Sequence, residues 1–352
     1  MRVAPPGPGR TAEQILADTA RITDPALMRA VNCLPSPLRE SVYYHYGWAG
    51  RDGGPATGVR GGTGRKGIAF TLLCAGIDGG PVERGLPAVV AGNLLMNVAT
   101  LHDDIVDLEA RRRGRPTVLA AYTTGHAIMA GDALLALAFS HLGEHPHPRT
   151  QQALRTMRAG WLQLCAGQVR DEEHEGRCET SLDQAVSVQA AKTAEGVRAV
   201  CCLPALLTDA SGAQVEAVGR FGFHLGMAVQ YHNDLSDLWP AEQLSRSRYG
   251  DVRRRKITPT VAACLESGHR DRGRLAEFYQ GDGEPAEEGL AAVADLIDRC
   301  GGRAWTREQN HAHLRLALRS LQEADPPPAV YRDAVTLAGI YLVGDAEPLA
   351  HP

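Results

Sequence analysis

The chain has 352 residues, 44% of them hydrophobic and 5% aromatic, with a formal net charge of −4 and an isoelectric point near 6.4. That length can bury a large core within one domain, and the acidic balance excludes the basic footprint of a nucleic-acid binder.

In chain order, residues 1–12 open rich in proline and glycine and predict a flexible tail without the apolar centre of a signal peptide. Residues 50–64 read as a glycine-rich loop. Leu94, Val98, Leu101 and Ile105 then recur at i, i+4, i+7 and i+11, one stripe of a helix. The longest apolar stretch, residues 118–142, is interrupted by His126, Gly131 and Asp132, which predicts a buried helix and no membrane span. Residues 144–149 contain Pro146 and Pro148 and end a helix, and residues 239–250 form a polar connection. Between these breaks the chain is rich in Ala, Leu, Arg, Glu and Gln, the strong helix formers. No period of 20–50 residues repeats. The expectation is an all-α single domain over residues 1–352. The eight cysteines lack CxxC spacing, which points to a reduced cytoplasm and away from cysteine-held metal.

Two polar clusters carry chemistry. In His102-Asp103-Asp104-Ile105-Val106-Asp107, Asp103 and Asp107 stand four apart, so both carboxylates leave the same helix face. Two parallel carboxylates repel unless a cation lies between them, and Mg²⁺ bridged to substrate phosphates is a usual occupant. Arg111, Arg112 and Arg113 follow, and guanidinium forks suit phosphate oxygens. A solvated acidic helix end paired with those arginines is the alternative. The second cluster places Gln230, Asn233 and Asp237 at i, i+3 and i+7 with Asp234 alongside, after a mostly apolar run. An inward-facing acidic stripe without a local base requires a metal or a cation from elsewhere. Only three lysines occur, Lys66, Lys192 and Lys256, against a large majority of arginines.

With these residues in hand, the chain resembles the trans-isoprenyl diphosphate synthases over about residues 34–266. LHDDIVDLEARRRGRPTV matches that family's first aspartate-rich motif, and LGMAVQYHNDLSD resembles the second, with Asn233 at its first aspartate. Gly167-Gln168, Lys192-Thr193 and the DVRRRKITP segment with Lys256 resemble its intervening motifs. The resemblance implies a helical bundle around a central apolar cavity. It implies Mg²⁺, three ions, held by Asp103, Asp104, Asp107, Asn233, Asp234 and Asp237. An allylic isoprenyl diphosphate would be gripped by Arg112, Arg113, Lys192, Lys256, Gln230 and Arg246. Met96, Val98, Ala99 and Gln168 would border the prenyl pocket, and the small Val98 and Ala99 predict room for a geranylgeranyl-sized chain. A homodimer is a further implication.

The chain departs from the pattern where the family binds isopentenyl diphosphate, the homoallylic co-substrate. Ile68 and Ala69 stand at an Arg-Pro pair, Met96 at a His or Gln, and Val229 at a Phe. Losing two polar contacts to a diphosphate costs roughly 1.5–3 kcal/mol each. The favoured reading is therefore a terpene synthase on this scaffold, which ionises the allylic diphosphate without a co-substrate. Asn233 fits an Asn-Asp metal pair, although Asp237 and Ala241 lack the rest of a cyclase motif, and so few aromatics suit a long cyclisation cascade poorly. The alternatives are a polyprenyl diphosphate synthase and a non-catalytic partner subunit.

Overall fold

The structure is a computed structural model that describes residues 9–56, 65–239, 248–281 and 285–342. Those residues form an almost wholly helical bundle, the expected all-α class. The only strands among them are two-residue β1 (Arg111–Arg112) and β2 (Arg115–Pro116), paired antiparallel with Arg112 opposite Arg115.

Local sequence sets the helix starts. Thr11 with Gln14, Ser181 with Gln184, and Ser211 with Gln214 each form a reciprocal capping box, satisfying amide groups that a helix N-terminus otherwise leaves bare. The first box starts the helix Ala12–Val31 and so shortens the expected tail by a residue.

The centre is the apolar helix Leu86–Val106. Leu94, Val98 and Leu101 of the predicted stripe have no solvent exposure, while Ile105 is partly buried near the helix end. This helix packs between Thr124–Gly143 and Glu195–Leu206, and the latter packs in turn on Gly212–Leu238, against which Gly302–Gln322 lies. Small residues let the backbones approach. A Cβ at Gly226 would come within 2.6 Å of Ala194 Cα, so only glycine fits that crossing.

The apolar segment over residues 118–142 differs from its prediction. It breaks at Tyr122 and Thr123 into Val118–Ala121 and Thr124–Gly143, with Thr123 capping the second piece. Ala127, Ala130, Leu134, Ala138 and Leu142 are buried against the central helix, but Ile128 and Met129 on the opposite side are exposed. By length and composition, two helical segments among the described residues could cross a membrane, residues 82–106 and Thr124–Gly143. The first is mostly buried within the bundle and the second only along one face.

Candidate active site

The site begins at the end of the central helix. Asp103 and Asp107 both project into one cleft, as their spacing predicts, and each meets cations from other parts of the chain. Asp103 Oδ2 lies 3.1 Å from Arg112 Nη2 and its Oδ1 lies 3.8 Å from Lys192 Nζ. Asp107 Oδ1 accepts from Lys256 Nζ at 2.7 Å and from Arg254 Nη1 at 2.8 Å. Asp104 turns the other way: it is buried, and its carboxylate receives Arg112 Nε at 2.5 Å.

The arginine run folds as a tight hairpin. Arg113 (φ 55°) and Gly114 (φ 74°) are its two central residues, the paired left-handed conformation of a type I′ turn. The turn sends Arg112 back onto Asp103 and Asp104. Among the described residues, four of the five non-glycine residues in left-handed conformation are Leu108, Arg113, Tyr249 and Arg255, which flank this cleft's functional side chains. Such backbone costs about 1–3 kcal/mol per residue and persists where surrounding contacts enforce it.

Lys192 sits in a π-helical turn, Ala190–Ala194, that joins two α-helices. π-turns are rare and often mark functional positions. The helix Thr150–Glu173 crosses here at Gly167, where a Cβ would collide with the Lys192 backbone nitrogen. The close crossing brings Asp171, one turn beyond Gly167, against both lysines: its Oδ2 is 2.7 Å from Lys192 Nζ and 3.4 Å from Lys256 Nζ. Burial would push Lys192 and Lys256 down, but the surrounding carboxylates, led by Asp171 for Lys192 and Asp251 for Lys256, outweigh it and hold both ammonium groups charged. The Asp171 carboxyl is correspondingly held below its ordinary range, its burial outweighed by the two lysines.

The second motif contributes differently from its predicted stripe. Asp234 is the buried member, accepting from Gln230 Nε2 at 3.3 Å and from Thr260 Oγ1 at 3.3 Å. Burial, then the nearby Asp251 charge, pushes its carboxyl well above the ordinary range. Gln230 also accepts from Thr193 Oγ1 at 3.2 Å, tying the motif to the lysine turn. Asn233 and Asp237 are partly buried. Asp237 Oδ1 receives the amide of Gly250 at 2.9 Å and Oδ2 that of Asp251 at 3.4 Å, so this carboxylate anchors the start of Gly250–Arg253. The cleft between the two motifs is lined by Asp171, His174, Lys192, Gln230, Asp234, Asp251 and Lys256 among others.

Among the described residues, no three His, Cys, Asp or Glu side chains are grouped closely enough to hold a metal as they stand. Lysine and arginine occupy the space between the carboxylates instead. The donor set nevertheless fits a hard dication, since Asp103, Asp107, Asp171 and Asp234 offer oxygen alone.

The remaining expected residues divide. Met96 and Ala99 are partly buried on the central helix, with Met96 Sδ directed toward Gly196, whereas Val98 is fully buried in the packed core. Gln168 lies on the helix surface near Glu172. Arg246 falls outside the described residues. Ile68 is buried in the core, so the position that departs most from the phosphate-loop pattern carries no exposed group. Sequence reasoning missed Asp171, Asp251, Arg254 and the C-terminal support. Asp171 was signalled faintly by its place four residues after Gly167. Arg254 binds Glu175 Oε1 at 2.6 Å as well as Asp107. Thr306, on the helix Gly302–Gln322, pairs at 2.8 Å with the Thr260 hydroxyl that supports Asp234.

Comparison with known proteins places this geometry. The chain is 33% identical over 306 residues to a geranylgeranyl diphosphate synthase of Mycobacterium tuberculosis, covering 86% of this chain and 87% of that one. It is 31% identical over 304 residues to a (2E,6E)-farnesyl diphosphate synthase of Mycobacterium bovis, covering 85% and 84%. The crystal structure of a polyprenyl synthetase from Streptomyces coelicolor A3(2) superposes with a TM-score of 0.85 at 30% identity, covering 94% of this chain and all of that one. The two mycobacterial relatives are named diphosphate synthases and the third a polyprenyl synthetase, which overturns the expectation of a diphosphate-releasing terpene synthase or lyase. Ile68, Met96 and Val229 are only three positions of a longer pattern, in which the basic Lys66 and Arg113 still stand. A polyprenyl synthetase family model matches residues 64–297, well over half the sequence, and the chain belongs to that family.

Proposed function

We propose that the protein is a prenyltransferase that condenses an allylic isoprenyl diphosphate with isopentenyl diphosphate. The observation that carries this reading is the convergence of Lys192, Lys256 and Arg112 on Asp103, Asp107 and Asp171 in one cleft. Acids and cations so interleaved suit a diphosphate, with the bases taking phosphate oxygens and the acids freed for Mg²⁺. Asp103, Asp107 and Asp171 would hold Mg²⁺ on one wall and the Asn233–Asp234 segment on the other. Mg²⁺, when bound, supplies charge neutralisation of the departing diphosphate. Lys192, Lys256 and Arg112 orient that group and stabilise the charge developing as the allylic carbon–oxygen bond breaks. The homoallylic double bond then supplies the electron pair of the new carbon–carbon bond, and a proton is lost to restore the alkene.

The test is an incubation with Mg²⁺ and geranyl, farnesyl or geranylgeranyl diphosphate, with and without isopentenyl diphosphate. Products longer by isoprene units, formed only with both substrates, support the reading. A hydrocarbon or alcohol from the allylic substrate alone would overturn it.

We further propose a geranylgeranyl-length product, on the support of Ala99. It stands one turn below Asp103 and offers a chain no bulky obstacle. Ala99→Phe is expected to shorten the product, read by chromatography of the dephosphorylated prenols. A homodimer is supported by the exposed apolar side chains of two successive helices, Met129 (51% exposed) on one and Leu162 (57%) and Val169 (57%) on the other. Light scattering should give twice the chain mass, and Leu162→Glu with Met129→Glu should give the monomer. The eight free thiols support a reducing compartment, the cytoplasm.

A further inference from the structure

The helix Leu182–Gln189 buries three side chains, Ala185, Val188 and Gln189, a stripe at i, i+3 and i+4. The first two are apolar, as a core-facing stripe requires. The third is an amide, and it is only 5% exposed. A methionine of nearly the same length would fill that position without a polar cost, so glutamine there needs a physical reason.

The surrounding protein does not supply one. Among the described residues, the nitrogen and the oxygen of the Gln189 amide are both buried and both lack a hydrogen-bond partner. Turning the amide over exchanges the two atoms and leaves both unpaired. An unmet donor and an unmet acceptor each weigh against folding, and native interiors rarely keep them. The neighbouring polar groups are matched by contrast: Asp234 with Gln230 and Thr260, and Gln230 with Thr193.

Its location supplies the reason. Gln189 lines the same cleft as Asp171, Asp234, Asp251, Lys192 and Lys256. It stands three residues before Lys192, in helical backbone (φ −60°, ψ −41°) where the α-helix passes into the π-turn. A ligand that satisfies this amide must bring an acceptor and a donor together. A diphosphate oxygen only accepts, and a bare dication has no hydrogen to give. Mg²⁺, however, keeps several of its waters when it binds phosphates, and a water held by the metal donates. A hydrated magnesium diphosphate therefore offers both groups side by side.

We propose that Gln189 is a further binding residue of this cleft, its Nε2 donating to a diphosphate oxygen and its Oε1 accepting from a water carried by Mg²⁺. This rests on the reading of the cleft as a magnesium diphosphate site. The bare amide is then a cost to the empty fold that the ligand relieves, so folding and binding pull this position in opposite directions.

That opposition is what the test reads. Wild type, Gln189→Met and Gln189→Leu are melted in metal-free buffer, and inorganic pyrophosphate is titrated into each by calorimetry at several fixed Mg²⁺ concentrations. Both variants should melt higher than wild type, by roughly 2–5 °C, because the unpaired amide is gone. Both should bind pyrophosphate about tenfold more weakly, the loss of a charge-assisted contact. The Mg²⁺ concentration giving half-maximal pyrophosphate binding should rise roughly tenfold as well. Methionine keeps the length of the side chain, so weaker binding in that variant reports the amide and not a change of shape. Pyrophosphate affinity within twofold of wild type in both variants overturns the proposal and leaves the amide a packing role. Weaker binding accompanied by a lower melting temperature also overturns it, since the amide would then be holding the fold. Either result leaves the condensation reading intact. A wild type that binds no pyrophosphate with Mg²⁺ overturns the cleft reading together with Gln189. Tight binding without elongated products in the incubation above overturns condensation alone.

Discussion

Asp171 Oδ2 lies 2.7 Å from Lys192 Nζ, and the same oxygen lies 3.4 Å from Lys256 Nζ, so one carboxylate on the helix Thr150–Glu173 joins the two lysines of the cleft. Lys256 is 3% exposed and Lys192 18%, too little for water to replace the lost partner. Asp171→Asn should therefore destabilise the metal-free protein, by up to about 3–5 kcal/mol where a buried pair loses one member. Asp107 and Asp103 still face the same ammonium groups and will reduce that cost. Urea denaturation of the variant checks it, and turnover should fall in parallel.

Asp103→Ala and Asp107→Ala address the first motif. Each removes a carboxylate from the cleft without touching the packed stripe of Leu94, Val98 and Leu101. Diphosphate release should fall at least about a hundredfold, as when a positioned charge-stabilising group is lost, with the far-ultraviolet circular dichroism unchanged. Near-normal release in both variants would reduce the motif to a charged helix end.

Gly167→Ala tests the crossing that positions Lys192. The added methyl would strike the Lys192 backbone, so either the helix Thr150–Glu173 or the π-turn must move. A loss of about 1–3 kcal/mol is expected from overpacking, together with a larger KM for the allylic diphosphate. A thermal melt with parallel kinetics separates this from Gly273→Ala, where a Cβ meets nothing within 4 Å.

The buried Asp234 makes stability depend on pH. Its folded pKa is raised by burial and then by Asp251, so the folded chain holds this proton more tightly than the unfolded chain. That contribution is fully present below the unfolded value and is lost as pH rises through the folded one. Asparagine suffers no such loss. The melting temperature of Asp234→Asn relative to wild type should thus increase with pH between about 4 and 8 in metal-free buffer. A difference that shrinks over that range would show that the carboxyl is not held protonated.

The helical class, the central stripe and the shared face of Asp103 and Asp107 were legible in the sequence, because a period of 3.6 residues fixes which side chains share a helix face. Lys192 and Lys256 were legible through motif and rarity. The orientation of Asp104, the burial of Asp234 beside a partly buried 230–233–237 stripe, and the capping role of Asp237 were not. Each depends on which helix lies opposite, and neighbouring residues on a helix point 100° apart.

Function was misread for the same reason. Val229 and Ile68 look like losses along the sequence, yet Ile68 is core and Val229 shares its cluster with Tyr341, more than a hundred residues later. The sequence by itself determined the helices, their apolar faces and the acidic and basic groups available for a diphosphate. The tertiary structure alone decided that Asp171 joins Lys192 to Lys256 and that Gln189 borders the cleft they form. Pairings between residues distant in the chain are set by backbone approach at crossings such as Gly167, and no local periodicity encodes them.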